Sequence, residues 1–227
     1  MKKYVKSFRL FFGTCQIRDI VIFLAMLIVF MILCPMAELL PADSFIAGFA
    51  QGVASMMGAL CAVTGLVFAN ALYQYAAPAT AGRKFFVSLP DSALHFRRAI
   101  AAANALGIVT GLVLLALEGV VYHILGMDMS MVYLGAILLF IATGVCDLTG
   151  FIRSRTARII SLMAVMCGFG SLAGIFSVGE EDETSAADLL ASHAEALWIA
   201  GAAALAIFAA GLIYSLAVAE KKWGDAQ

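Results

Sequence analysis

The stretch AIAAANALGIVTGLVLLALEGVVY, Ala99 to Tyr122, decides the fold. It is 24 residues long and holds one charged residue, Glu118, and one amide, Asn104. At about 1.5 Å per residue it reaches about 36 Å, more than the roughly 30 Å of a bilayer's hydrocarbon core. Lipid offers no partner to a backbone N–H or C=O, so a spanning segment is a helix or part of a closed barrel. Barrel strands alternate apolar and polar residues, whereas this stretch is continuously apolar and predicts a helix. Outward from it lie five more apolar runs, at about 20–40, 47–73, 131–149, 159–178 and 196–218. The expected fold is all-α and integral to the membrane: a six-helix transmembrane bundle forming a single domain over residues 1–227.

Composition agrees. The 227 residues are 63% hydrophobic and 13% charged, with a mean hydropathy of +1.00. Soluble domains hold about 45–50% apolar and about 25% charged residues. A soluble enzyme, a disordered chain and a disulfide-rich secreted module are excluded. The five cysteines form no C-x-x-C pair, and structural zinc needs about four clustered ligands, so they read as small packing residues. The basic start followed by an apolar run resembles a signal peptide. That run is longer than a usual h-region of about 7–15 residues, so it reads as a retained first span.

Charge placement sets the orientation. All 14 lysines and arginines fall before the first run, between runs two and three, between runs four and five, or after the last. With six spans these positions share one side, and the positive-inside rule makes it the cytoplasm, with both termini there. The opposite connections carry only acidic charge, including Glu180 to Glu183. This acidic stretch reads as a solvated loop with one short helix, or as a cation-binding loop. Tyr73, Tyr75 and Tyr214 fall at expected inner boundaries and Tyr122, Tyr133 and Trp198 at outer ones, positions typical of interfacial anchors. Residues 1–19 read as an amphipathic interfacial helix, with Tyr4, Val5, Phe8, Phe11, Phe12 and Cys15 on one face. Small residues recur within the runs, as in the G-x-x-x-G pairs Gly107/Gly111 and Gly170/Gly174. They fit a tight bundle or a dimer surface.

Chemical signatures are scarce. The chain has no phosphate-loop motif, no H-E-x-x-H and no G-x-S-x-G. No cofactor or metal is expected on this chain, nor any binding of nucleic acid. His95, His123 and His193 are isolated and read as interfacial or loop residues. Candidates for a pathway or gate are the few polar groups inside spans: Glu118, Asp147 and Asn104. Glu118 is either a proton or cation site or a carboxylate reaching the outer interface. Asp147 is either functional or paired with Arg153 or Arg155. The absence of a charge near mid-membrane weighs against a proton relay.

The connection from Arg83 to Arg98 is the most informative. Phe85, Phe86, Val87, Leu89, Leu94 and Phe96 stand among basic residues on the aqueous side, around Pro90 and Asp91. Pro90 breaks a helix and Asp91 can cap the next one. Apolar groups rimmed by charge mark a docking surface, or else enter the headgroups.

Ser88-Leu89-Pro90-Asp91-Ser92 is followed closely by Arg97-Arg98 and a span. This element resembles the cytoplasmic element after the second span of small ABC-2-type permeases, the membrane subunits of ATP-binding-cassette exporters. The resemblance extends to the expected architecture of the whole chain. It implies a non-enzymatic transport subunit of the plasma membrane, paired with a second permease copy or a related permease. ATP is used by separate cytoplasmic ATPase subunits. It also implies that 83–98 is a coupling segment, with Phe85, Phe86, Leu89, Pro90, Asp91, Phe96 and Arg97 at the ATPase contact. The apolar small-residue faces point to an amphipathic, peptide or lipidic substrate. The rival readings are a carrier or channel without an ATPase, working through Glu118 and Asp147, and a non-transporting assembly subunit.

Overall fold

Gly13, a poor helix former, marks the first break in the chain. Ahead of it α1 spans Lys2–Phe11, and behind it α2 spans Thr14–Met36. The other helices are α3 (Phe45–Tyr73), α4 (Ser92–Leu125), α5 (Ser130–Thr149) and α6 (Ala194–Gly224). The computed structural model describes residues 2–36, 45–73, 86–125, 130–152, 156–157, 160–161, 163–164 and 194–224. Among these residues there is no strand. Three helical stretches, Ser92–Ile124, Val132–Thr149 and Leu197–Lys221, are long and apolar enough to cross a membrane. The apolar stretch Met57–Tyr73 is shorter. The expected span at 159–178 lies almost wholly outside the described residues.

The N-terminal expectation needs correction. The amphipathic helix ends at Phe11, and residues 14–19 are the first turns of α2. Phe11 and Phe12 are buried within the chain, while Tyr4 and Val5 of the same predicted face are exposed. The aromatic end of α1 is thus covered by the bundle itself.

Helix directions follow from the contacts. Gly58 of α3 lies against Gly135 of α5, and Tyr73 lies against Gly150, so α3 and α5 run parallel. Phe140 meets Phe208, and Gly144 meets Gly211, so α5 and α6 are also parallel. Helix α4 runs against them: Gly107 meets Gly65, and Gly111 meets Thr64. One apolar cluster gathers Phe11, Phe12, Tyr73, Phe96, Cys146 and Trp223 at what we term the base of the bundle. A second, farther along the helices, holds Leu27, Met31, Met57, Cys61, Leu114 and Leu138.

In lipid there is no hydrophobic gain from bringing two apolar helices together, so close packing of backbones has to hold them. The α5–α6 crossing depends on this. A Cβ at Gly211 would collide with the backbone of Gly144, and one at Gly144 would stand 2.7 Å from Phe208 Cα. Replacing Gly211 by leucine is expected to force α6 off α5 and destabilise the protein by about 1–3 kcal/mol, the usual range for overpacking. Thermal unfolding in detergent checks this, with Gly201→Leu as control, since a Cβ at Gly201 meets nothing within 4 Å.

Candidate functional site

Two groups of residues stand out: a braced turn at the base and a set of polar groups inside the bundle.

The turn occupies residues 86–92. Leu89 N–H donates to Phe86 O at 3.3 Å, and Ser92 N–H donates to Leu89 O at 3.2 Å. Asp91 has a φ of 55°, the left-handed region that aspartate tolerates better than most residues. Its carbonyl accepts the His95 N–H at 2.9 Å, so α4 starts here. Ser92 Oγ donates to Val87 O at 3.2 Å and accepts from Trp223 Nε1 at 3.0 Å. Trp223 stacks on Phe96, with centroids 4.3 Å apart, and Phe11 closes on both edge to face. The start of α4, the end of α6 and the end of α1 therefore form one aromatic block beneath the turn.

This arrangement sorts the predicted contact residues. Pro90 and Asp91 are exposed and Leu89 is half-buried. Phe86 is half-buried, its ring 5.1 Å from that of Phe11. Phe96 is fully buried and faces the chain's own core. Arg97 bonds Glu220 at 2.9 Å, tying α4 to the last turns of α6. Both partners are about half exposed, so this pair adds at most about 1 kcal/mol. Phe85 lies outside the described residues.

Other bonds join α1 to this block. Ser7 Oγ donates to Lys3 O at 2.9 Å and lies 2.8 Å from His95 Nδ1. With its proton engaged, the hydroxyl accepts from His95, so Nδ1 carries the hydrogen. His95 is a link between helices rather than the isolated residue read from the sequence.

Inside the bundle, Asp147 of α5 is fully buried. Tyr73 Oη donates to its Oδ1 at 2.6 Å, and Asn104 Nδ2 contacts both carboxylate oxygens at 3.1 and 2.9 Å. Three helices meet at this carboxylate. Arg153 and Arg155, the partners expected for it, lie outside the described residues. Tyr73 is buried and hydrogen-bonded, not an interfacial anchor. Tyr122 is buried too, whereas Tyr133, Trp198 and Tyr214 are exposed as anchors would be. Glu118 does not reach an interface: it is 1% exposed, and neither carboxylate oxygen has a hydrogen-bond partner. The Cys61 and Tyr122 side chains flank it. Among the described residues no group of three or more His, Cys, Asp or Glu is arranged to hold a metal.

Sequence reasoning missed Trp223, Thr64 and Thr143. Trp223, beside Lys221 and Lys222, reads as one more boundary residue, and a buried threonine in an apolar run carries no signal of its own. Set against protein-family models, curated proteins and solved structures, the chain finds no match in any of the three. Its class is therefore drawn from its own residues: among the described residues the regular structure is all helical, and three helices are long and apolar enough to cross a bilayer.

The Asp147 cluster generates a direct test. Tyr73→Phe removes one donor and keeps the ring, and a bond to a charged group contributes about 1.5–3 kcal/mol. Asn104→Leu removes the other donor and should cost at least as much. Thermal melts in detergent should show both losses. In the double variant they should depart from additivity, because the two donors share one acceptor.

Proposed function

We propose that this chain is the permease subunit of an ABC-2-type exporter, a multi-pass protein of the plasma membrane with both termini in the cytoplasm. The observation that carries the reading is the turn at 88–91. It combines the S-L-P-x-S sequence with a braced conformation and an exposed tip at the end of the bundle where α1 and α6 end and α4 starts. A coupling element needs these properties: apolar tip residues open to a partner, and a base that does not yield. Leu89, Pro90 and Asp91 form the contact, and Phe86 and Phe96 support it from below. Separate ATPase subunits bind there, and their closure on ATP moves two permease bundles relative to each other. An amphipathic, peptide or lipidic substrate passes between them.

The crossing count of six rests on helix direction. Helices α5 and α6 are adjacent and parallel, and parallel neighbours need a connection that returns along the bundle. The apolar run at 159–178 has the length for that return. With it, every lysine and arginine lies on the base side.

Two measurements test this. Affinity purification from native membranes should recover a phosphate-loop ATPase with the chain. Leu89→Asp should cut that recovery by about tenfold or more, as loss of an interface hot spot does, without changing the elution profile. Phe96→Asp should instead prevent folding. A stable preparation that retains no ATPase would sink the reading. A fluorescent protein that matures only in the cytoplasm should be bright when fused to either terminus, and one dark terminus would remove the six-crossing arrangement.

A further inference from the structure

Helix α1 has two unlike faces. At about 100° per residue Ser7 and Phe11 share one side of it, and both are buried. Ser7 is bonded to His95, and Phe11 meets Phe96 and Trp223 edge to face. Lys2, Val5, Lys6 and Arg9 recur at i, i+3, i+4 and i+7 and form a stripe on the opposite side. All four are exposed. The stripe is about 10 Å long and lines a hollow of about 450 Å³.

This face is cationic without compensation. Lys2–Phe11 holds four basic residues and no acidic one. The ion pairs among the described residues are Arg18–Asp19 and Arg97–Glu220, so none involves α1. Lys2 and Lys6 stand at i, i+4 and Lys6 and Arg9 at i, i+3, spacings at which like charges destabilise a helix. An anion laid along the stripe turns that repulsion into attraction.

The height of the stripe identifies the anion. Ser7 bonds His95, two residues before Arg97-Arg98, and from Ala99 onward α4 carries no charge until Glu118. Helix α1 is thus anchored where α4 passes from its charged start into its apolar length. On the other flank, about two turns past Gly13, α2 exposes Val21, Ile22 and Met26. Basic side chains at such a boundary meet lipid headgroups. A soluble acidic protein would need the stripe clear of the membrane, whereas the Ser7–His95 bond holds it at the surface.

We infer that Lys2, Lys6 and Arg9 form a binding site for the phosphates of anionic phospholipids in the membrane that α4 crosses. The Arg9 guanidinium takes two phosphate oxygens at once, and the lysines supply point charges beside it. Val5 and the lysine stems give apolar contact below the phosphates. A zwitterionic headgroup brings its own cation, which the same stripe repels, so the site selects a net negative lipid. The site goes beyond the exporter reading: it uses the membrane placement of α4 and needs no ATPase.

The test uses the full chain in a mild detergent, titrated with phosphatidylglycerol or with phosphatidylcholine of the same acyl chains. Native mass spectrometry counts the bound lipid. The wild type should bind phosphatidylglycerol at least about tenfold more tightly. Arg9→Gln should weaken that binding by about fivefold, and Lys2→Gln, Lys6→Gln and Arg9→Gln together by about a hundredfold, the scale of separate basic contacts at an anionic surface. Phosphatidylcholine binding should not change. Lys221→Gln, which removes an equal charge from the exposed end of α6, should bind as the wild type does. The three substituted side chains are exposed, so the elution profile of the triple variant should match that of the wild type. Equal affinity for the two lipids, or a triple variant that binds phosphatidylglycerol as tightly as the wild type, would overturn the proposal. Displacement of the lipid by an equal concentration of inorganic phosphate would make the ligand a free anion and overturn it too. So would a soluble acidic protein that is recovered with the wild type and lost from the triple variant while neither lipid is preferred.

Discussion

A carboxylate inside a helix bundle must find its donors in protein, and Asp147 finds them on two other helices. Tyr73 arrives from the end of α3 and Asn104 from the fourth turn of α4. Unpaired, a buried carboxylate costs several kcal/mol or more. Sliding α3 or α4 by one turn would remove a donor by about 5 Å. The interaction therefore fixes axial register, which apolar packing in lipid does weakly. Leucine against leucine is nearly indifferent to such a slide, while an amide held against a carboxylate is not.

Register in turn lets the glycines work. Gly107 can meet Gly65, and Gly211 can meet Gly144, only where each pair stands level. Once level, the backbones approach closely and dispersion contacts accumulate along both crossings. The polar cluster selects one alignment and the glycines reward it. The base adds a third constraint. Trp223 is held by Ser92 and stacked on Phe96, so the end of α6 is aligned with the start of α4 by one hydrogen bond and one ring.

What was legible in the sequence follows from which signals are local. Apolar run length marked the three helices among the described residues that are long and apolar enough to cross a bilayer, because the bilayer imposes a minimum on each run separately. Amphipathicity marked α1, but its end at Phe11 depends on where the bundle covers it, and Phe12-Gly13 alone gives no more than a weak break. Pro90 and Asp91 foretold a turn followed by a helix start, which is local chemistry. Side-chain partners are not local. Tyr73 and Asp147 are 74 residues apart and Ser92 and Trp223 are 131 apart, so nothing in either neighbourhood signals the other. Glu118 shows the limit most plainly. Its place near the end of an apolar run reads as an interfacial carboxylate, yet it turns toward α3 and is enclosed.

The base and the interior are mechanically continuous. Helix α4 is a single helix of 34 residues, about 50 Å long, and it carries the turn at one end and Asn104 and Glu118 within. It has no proline after Pro90, and proline is a common source of a sharp kink. A load on the turn is therefore borne along its axis and not absorbed by a hinge. The first resistance it meets is the aromatic block, and the next is the Asn104–Asp147 bond, where a shift of about 1 Å already spoils hydrogen-bond geometry. Of all contacts along α4, the one that fixes register most sharply is thus also the one most sensitive to axial movement. A force on the turn would be felt at Asp147 before it disturbed the broad apolar contacts around Leu114 and Leu138, which tolerate small slides.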